Sequence, residues 1–274
     1  MSPYLFLCVR FGLACLFFIP ILIIKRVRLT KRLLKHGASI GFFMYLGMIL
    51  QTLGLQFTSA SRSGFITGLC VVLVPIFVVI IERRFPNKSV LAGVLFAAFG
   101  LYLLSNPQGG DWNKGDTLTL LSAVAFAFQI IFIGLWGHKS DPFGIAFVML
   151  AVTSLLSLIS GALIENMSMK FNFQILAILF YMAFICTTIA FAIQVRWQPK
   201  TSPTAAAVIY TTEPVFAVIF AMLVLHEKLT INSWTGAAFI LLGMLVTEIR
   251  KEQAVSDYSH IDIEEGLGKE ILEP

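Results

Sequence analysis

Nine stretches of roughly 20 consecutive, mostly apolar residues govern this chain, each about the length a helix needs to cross a hydrocarbon layer of about 30 Å. They lie near 4–24, 37–56, 64–82, 89–105, 117–136, 143–164, 174–194, 204–225 and 231–249, separated by short polar turns. Across 274 residues the hydrophobic fraction is 58%, the charged fraction 13% and the mean hydropathy +0.87, more apolar surface than one soluble core can hide. The expected fold is all-α and integral to a membrane. It is a polytopic bundle of about nine transmembrane helices, with the lipid bilayer as its first partner.

The first stretch has the wrong polarity for a cleaved signal peptide, which carries its positive residues ahead of the apolar run. Here Lys25, Arg26, Arg28, Lys31, Arg32 and Lys35 follow it. Alternating the sides of the membrane along the nine stretches places fourteen Lys and Arg on one side. Only Arg62, Lys114, Lys170 and Lys228 fall on the other. The positive-rich side reads as cytoplasmic, which puts the C-terminus inside a multi-pass cell-membrane protein, the bacterial inner membrane being the expected location. Nine crossings then leave the N-terminus outside, ahead of a helix bearing Arg10 within its span. A helix preceding Met1 in the complete fold is therefore expected.

The formal net charge of +5 is accounted for by these loop residues, so no nucleic-acid partner is read from it. Cys8, Cys15, Cys70 and Cys186 all fall inside apolar stretches without paired spacing, and His36, His138, His226 and His260 are scattered over loops and the tail. No metal, disulfide or cofactor is expected from them. The sequence has no HExxH or GxxxxGK[ST], so neither a zinc hydrolase of that type nor an ATP-driven pump is indicated.

An internal repeat emerges at a constant offset of 143 residues. Thr58 and Ser59 match Thr201 and Ser202, Gly93 matches Gly236, Phe96 matches Phe239 and Gly100 matches Gly243, all without a gap. Five helices separate equivalent positions, so the two copies run in opposite directions. Inverted repeats are a recurrent construction of secondary transporters, because two related halves can exchange conformations around one central site.

The segments Arg10–Pro20 (RFGLACLFFIP), Gly54–Phe77 (GLQFTSASRSGFITGLCVVLVPIF) and Thr201–Met244 carry a resemblance to the drug/metabolite transporter superfamily and, within it, to the EamA-type transporters. The last segment is the most specific, with E-P-V-F followed by H-E-K and W-x-G-x6-G. The resemblance implies a ten-helix transporter of two inverted five-helix repeats with both termini cytoplasmic. It assigns 1–107 to a first repeat lacking its first helix, 117–249 to the second, and 250–274 to a polar cytoplasmic tail. The chain departs from the pattern at that first helix and at Glu227, whose counterpart in the first repeat is Arg84.

Glu213 is the one acidic residue in the middle of a span, where a carboxylate costs roughly 2.5–3.5 kcal/mol on insertion scales. It is a candidate for binding a proton or a cationic substrate group. The structural alternative is a hydrogen bond to a neighbouring helix near the carbonyl of Tyr210, which Pro214 leaves without its helical donor. Arg10 meets an anionic substrate group, pairs with a carboxylate, or extends its long side chain to the interface, the last being the reading that its position favours. Tyr45, Gln51 and Gln129 sit near mid-depth as candidate cavity residues, with one or two expected to line it, and Tyr210 joins them beside Glu213. Pro75 and Pro214 are candidate helix breaks. Gly93, Gly100, Gly236 and Gly243 read as packing residues.

The leading functional expectation is a secondary transporter, an exporter by resemblance, moving small organic solutes such as amino acids, metabolites or drugs by alternating access. The competing readings are a membrane-embedded sensor or scaffold without transport, and a membrane-embedded enzyme. A second copy of the chain, giving a homodimer, is an open partner.

Overall fold

The computed structural model describes residues 2–83, 85–105, 111–164, 172–225 and 231–247. The Glu227 and Arg84 turn and the 250–274 tail lie outside the described residues. All regular structure among the described residues is helical. The elements are α1 (Pro3–Ile24), α2 (Lys31–Gly54), α3 (Ala60–Gly68), α4 (Cys70–Glu82), α5 (Lys88–Ser105), α6 (Lys114–Trp136), α7 (Pro142–Ile164), α8 (Phe173–Ala183), α9 (Ala190–Trp197), α10 (Pro203–Tyr210), α11 (Thr212–Leu225) and α12 (Ile231–Thr247). The pairs α3–α4 and α10–α11 are each separated by one residue, and α8–α9 are joined by a π turn. The described residues therefore form nine rods, matching the nine apolar stretches. Six helical stretches are long and apolar enough to cross a bilayer, and Lys88–Leu104 and Ile231–Thr247 are shorter apolar helices.

The rods start where the sequence supplies a cap. Ser2, Thr30, Ser59, Asn113, Asn172 and Ser202 each sit in extended backbone and accept a bond from an N–H of the first turn. Thr30 explains why α2 begins at Lys31 rather than near residue 37. Its hydroxyl accepts from the Leu33 N–H at 3.2 Å, so the basic residues Lys31, Arg32 and Lys35 occupy the first turns of the helix.

Pro75 does not break its rod. It lies inside α4, and the interruption falls six residues earlier at Leu69, between α3 and α4. The second interruption falls at Thr211, between α10 and α11, so that Pro214 occupies the first turn of α11, where a missing N–H has little consequence. The seventh apolar rod carries a third irregularity, a π turn over Phe184–Ile189 that joins α8 to α9.

Close packing follows the small residues. The centre of the bundle is α2, packed on α6 and α7, with α1 also on α7. A Cβ on Gly41 would lie 2.6 Å from the Met149 carbonyl, and one on Gly37 would lie 2.7 Å from Val148 Cβ. Across the bundle α5 and α12 meet antiparallel, Gly93 against Gly243 and Gly100 against Gly236. A Cβ at Gly93 would come within 2.7 Å of the Gly243 carbonyl, and one at Gly100 within 2.6 Å of the Gly236 carbonyl. Between these contacts the rings of Phe96 and Phe239 stack with centroids 6.1 Å apart.

One end of the bundle is fastened by charge. Asp116, fully buried, forms an ion pair with Arg62 at 2.8 Å and accepts from the Thr58 hydroxyl at 2.8 Å. It also closes a capping box with Asn113 at the start of α6. A buried carboxylate with this many donors stays put. At the other end of α6, Gly134 lies against Pro203 and Gly137 against Pro199, just beside Trp136 in the chain.

Substituting Gly100 with alanine forces a methyl group against the backbone of Gly236 and Ile240 and is expected to cost about 1–3 kcal/mol of stability. Gly64 has nothing within 4 Å of its Cβ position, so Gly64→Ala serves as the control and leaves stability unchanged or slightly raised. Thermal unfolding of both variants in detergent checks the contrast.

Candidate functional site

The three helix irregularities converge. A cavity of about 690 Å³ is lined by Gly68 and Cys70 at the first break, by Tyr210, Thr211, Glu213 and Pro214 at the second, and by Cys186 and Ala190 at the π turn. The remaining wall comes from straight helices, through Arg10 of α1, Met48 and Gln51 of α2, Leu101 and Leu104 of α5, and Phe126, Gln129 and Ile130 of α6. The cavity reaches toward the Arg62–Asp116 end along Ala60 and Gly64 of α3.

The cavity brings together most of the residues singled out from the sequence. Gln51 donates from Nε2 to the Thr67 hydroxyl at 3.2 Å, which ties α2 to α3 just before the first break. Gln129 is nearly buried and turns its amide toward the Met149 sulfur at 4.0 Å. Tyr210 donates its hydroxyl proton to Gln198 Oε1 at 3.0 Å. Tyr45 is excluded. Its hydroxyl donates to Ser160 Oγ at 2.5 Å, and the ring packs in the apolar core shared by α1, α2 and α7. Its polarity is consumed in joining two helices, the ordinary use of a hydroxyl in an apolar interior.

Glu213 lies in the first turn of α11 and faces the cavity. Among the described residues its carboxylate makes no hydrogen bond and no ion pair. The break before it is closed locally instead. The Thr211 hydroxyl donates to the Val208 carbonyl at 2.6 Å, and the Thr212 hydroxyl to that of Ile209 at 2.7 Å. Threonine hydroxyls thus take up carbonyls that the interrupted ladder leaves over.

Arg10 does not extend to the interface. It is half-buried and points into the bundle, where its Nε donates to the Thr187 hydroxyl at 2.8 Å. Its guanidinium carbon lies 5.4 Å from the Phe11 ring centroid and 6.0 Å from that of Phe6. The partner that draws it inward is a threonine on the π turn, and a π turn leaves no trace in a hydropathy profile.

The sequence reading also missed Gln194 and Gln198, which lie at the end of a stretch beside Arg196 and Trp197. Gln198 is buried and acts as a hub, donating from Nε2 to the Ile130 carbonyl at 2.6 Å while its Oε1 accepts from Tyr210 and, at 3.1 Å, from Gln194. Below this hub Val74, Val78, Ile130, Ile131, Ala206 and Ala207 pack α4, α6 and α10 into a dry cluster. These contacts close the cavity on the Trp136–Pro203 side, while its lining runs the other way along Ala60 and Gly64.

A helical membrane bundle whose broken helices face a central cavity carrying a few charged and amide side chains is the architecture of a membrane transporter. The chain belongs to the EamA-like transporter family, matching it over residues 1–106 and 113–249, within the drug/metabolite transporter superfamily. An "uncharacterized transporter" of Archaeoglobus fulgidus is 36% identical over 250 residues, 91% of this chain and 78% of that protein. The uncharacterized transporter YoaV of Bacillus subtilis is 26% identical, over 89% of this chain and 86% of its own length. A solved crystal structure superposes with a TM-score of 0.75 over 91% of this chain and 88% of the other at 17% identity, a likeness of fold.

Replacing Gln198 with leucine would leave the Ile130 carbonyl and the Tyr210 hydroxyl without partners in a dry region. The expected cost is about 1–3 kcal/mol, read as a lower unfolding temperature in detergent.

Proposed function

We propose that the chain is a secondary transporter that carries a small organic solute through this cavity by alternating access. The observation that carries the reading is the convergence of both helix breaks and the π turn on one cavity containing an unpaired carboxylate. Unsatisfied backbone at membrane depth is tolerated where it faces such a cavity, and breaks are where substrates and coupling ions bind in transporters.

The local geometry at offset 143 supports two inverted halves. Ser59 and Ser202 cap the helices before the two breaks in the same way, by accepting from Arg62 N and Ala205 N, which are themselves 143 apart. The α5–α12 contact has the form expected of two related halves facing each other about a two-fold axis. Gly93 meets the counterpart of Gly100, Gly100 meets the counterpart of Gly93, and Phe96 stacks on its own counterpart, Phe239.

By the count of positive charges the Arg62–Asp116 end faces outward and the C-terminus lies in the cytoplasm. The arrangement described is then the outward-facing one, with the inner mouth closed by the Gln198 hub and the cluster beneath it. Passage to the inward-facing form separates α4 from α10 and brings α3 against α11. Export of amino acids, related metabolites or drug-like compounds is the expected direction, driven by a proton or solute gradient, with Glu213 as the group that exchanges a proton or a cation.

Reconstitution into liposomes with a panel of labelled amino acids and drug-like cations tests the reading, and saturable flux of at least one above empty vesicles is the expected result. A sensor or scaffold would give none. Glu213→Gln is expected to reduce that flux at least about tenfold and to flatten its pH dependence while the protein still inserts, since a proton-exchanging carboxylate has no substitute in an amide. Undiminished, still pH-dependent flux in this variant would remove Glu213 from the mechanism.

A further inference from the structure

We propose that Arg10 is the anion-recognition point of the cavity, held by the π turn of the α8–α9 rod so that its guanidinium receives the carboxylate of a solute with an apolar body. The inference builds on the transporter reading by adding a chemical class of ligand, and it has its own test.

Thr187 is wholly buried and its own hydroxyl proton is committed, donating to the Met182 carbonyl at 2.8 Å, five residues back. Its oxygen is thereby left with a fixed acceptor direction, and Arg10 Nε takes it at 2.8 Å. Thr188 repeats the pattern, donating to the Ala183 carbonyl at 2.8 Å, so the wide turn is held by two side chains rather than one. Such turns are rare within helices and concentrate at functional positions. Here the turn does two things. It puts a hydroxyl where it fixes the orientation of a guanidinium, and it places Cys186, an exposed cavity residue, within electrostatic reach of that guanidinium.

The ends of the guanidinium are left over. Nε is the single nitrogen of Arg10 with a hydrogen-bond acceptor among the described residues, and no described carboxylate pairs with it. The two terminal nitrogens form the edge that binds a carboxylate in bidentate fashion. A cation without a counter-ion is costly at membrane depth, and a ligand anion in the cavity removes that cost. The rings of Phe6 and Phe11 flank the group, and Met48, Leu101, Leu104, Phe126 and Ile130 give the cavity its apolar wall. A carboxylate with an apolar body fits both parts.

The test uses Cys186 as a reporter in protein with Cys8, Cys15 and Cys70 replaced by serine. An anionic methanethiosulfonate reagent (sulfonatoethyl) and a cationic one (trimethylammonioethyl) are compared on purified protein in detergent. In Arg10→Gln the ratio of anionic to cationic modification rates is expected to fall by about tenfold or more, the scale of one unit charge close to a partly desolvated thiol. Hydrocinnamate is expected to slow modification by a neutral maleimide and hydrocinnamamide is not. Arg10→Lys keeps the charge and loses the planar fork, so it should keep the reagent ratio and lose the protection. It also stands in if the glutamine variant does not fold. An unchanged ratio in Arg10→Gln, or equal protection by acid and amide in the parent protein, overturns the proposal. Neither readout depends on flux, so a protein that recognises carboxylates but moves nothing would sink the transporter reading and leave this one standing.

Discussion

Hydrocarbon offers no hydrogen bonds, so every backbone N–H and C=O inside the bilayer must find its partner within its own helix or from a neighbouring side chain. That constraint makes regular helix the default and gives each departure from it a meaning. The three departures here, at Leu69, at Thr211 and over Phe184–Ile189, lie on three different rods, and residues at all three line the same cavity. Threonine hydroxyls take up displaced carbonyls at the second and third, from Thr211, Thr212, Thr187 and Thr188. The polar chemistry of the cavity is thus inseparable from its backbone repair. The same turn that needs Thr187 to satisfy a carbonyl uses it to orient Arg10.

The rest of the bundle holds those irregular segments still. Small residues along α2 let α6 and α7 approach closely, and the glycines of α5 and α12 do the same on the far side. In lipid such contacts work through dispersion and shape, since burying apolar surface gains little where the surroundings are equally apolar. The two ends are built by different means. The Arg62–Asp116 pair with Thr58 and Asn113 fastens one by charge, and the Gln198 hub with its apolar cluster seals the other.

Hydropathy revealed the nine rods, because a period of ~20 apolar residues reflects bilayer thickness and little else. The ends of several rods were legible to within a few residues, as at Pro3–Ile24 and Pro142–Ile164. Interruptions were not. Proline pointed to Pro75, but proline within an apolar helix is tolerated when neighbours take up the freed group, and the break falls at Leu69 beside Gly68 instead. Isolated polar residues showed which positions were unusual without showing where they turn. Gln51, Gln129, Tyr210 and Glu213 meet in the cavity, whereas Tyr45 spends its hydroxyl on Ser160. Arg10 carried the least information, since its inward orientation depends on a threonine 177 positions away on a turn that sequence periodicity cannot register.

The central claim is that one cavity is opened to the two sides in turn, and pulsed electron-electron distance measurements test it most directly. One spin-label pair would span the open mouth at Phe57 and Leu223, and the other the sealed mouth at Phe85 and Trp197, all exposed positions. The account predicts two populations in liposomes, with the first distance shortening as the second lengthens when a proton gradient or a transported solute is supplied. Two distances that stay fixed, or that widen together, would contradict alternating access.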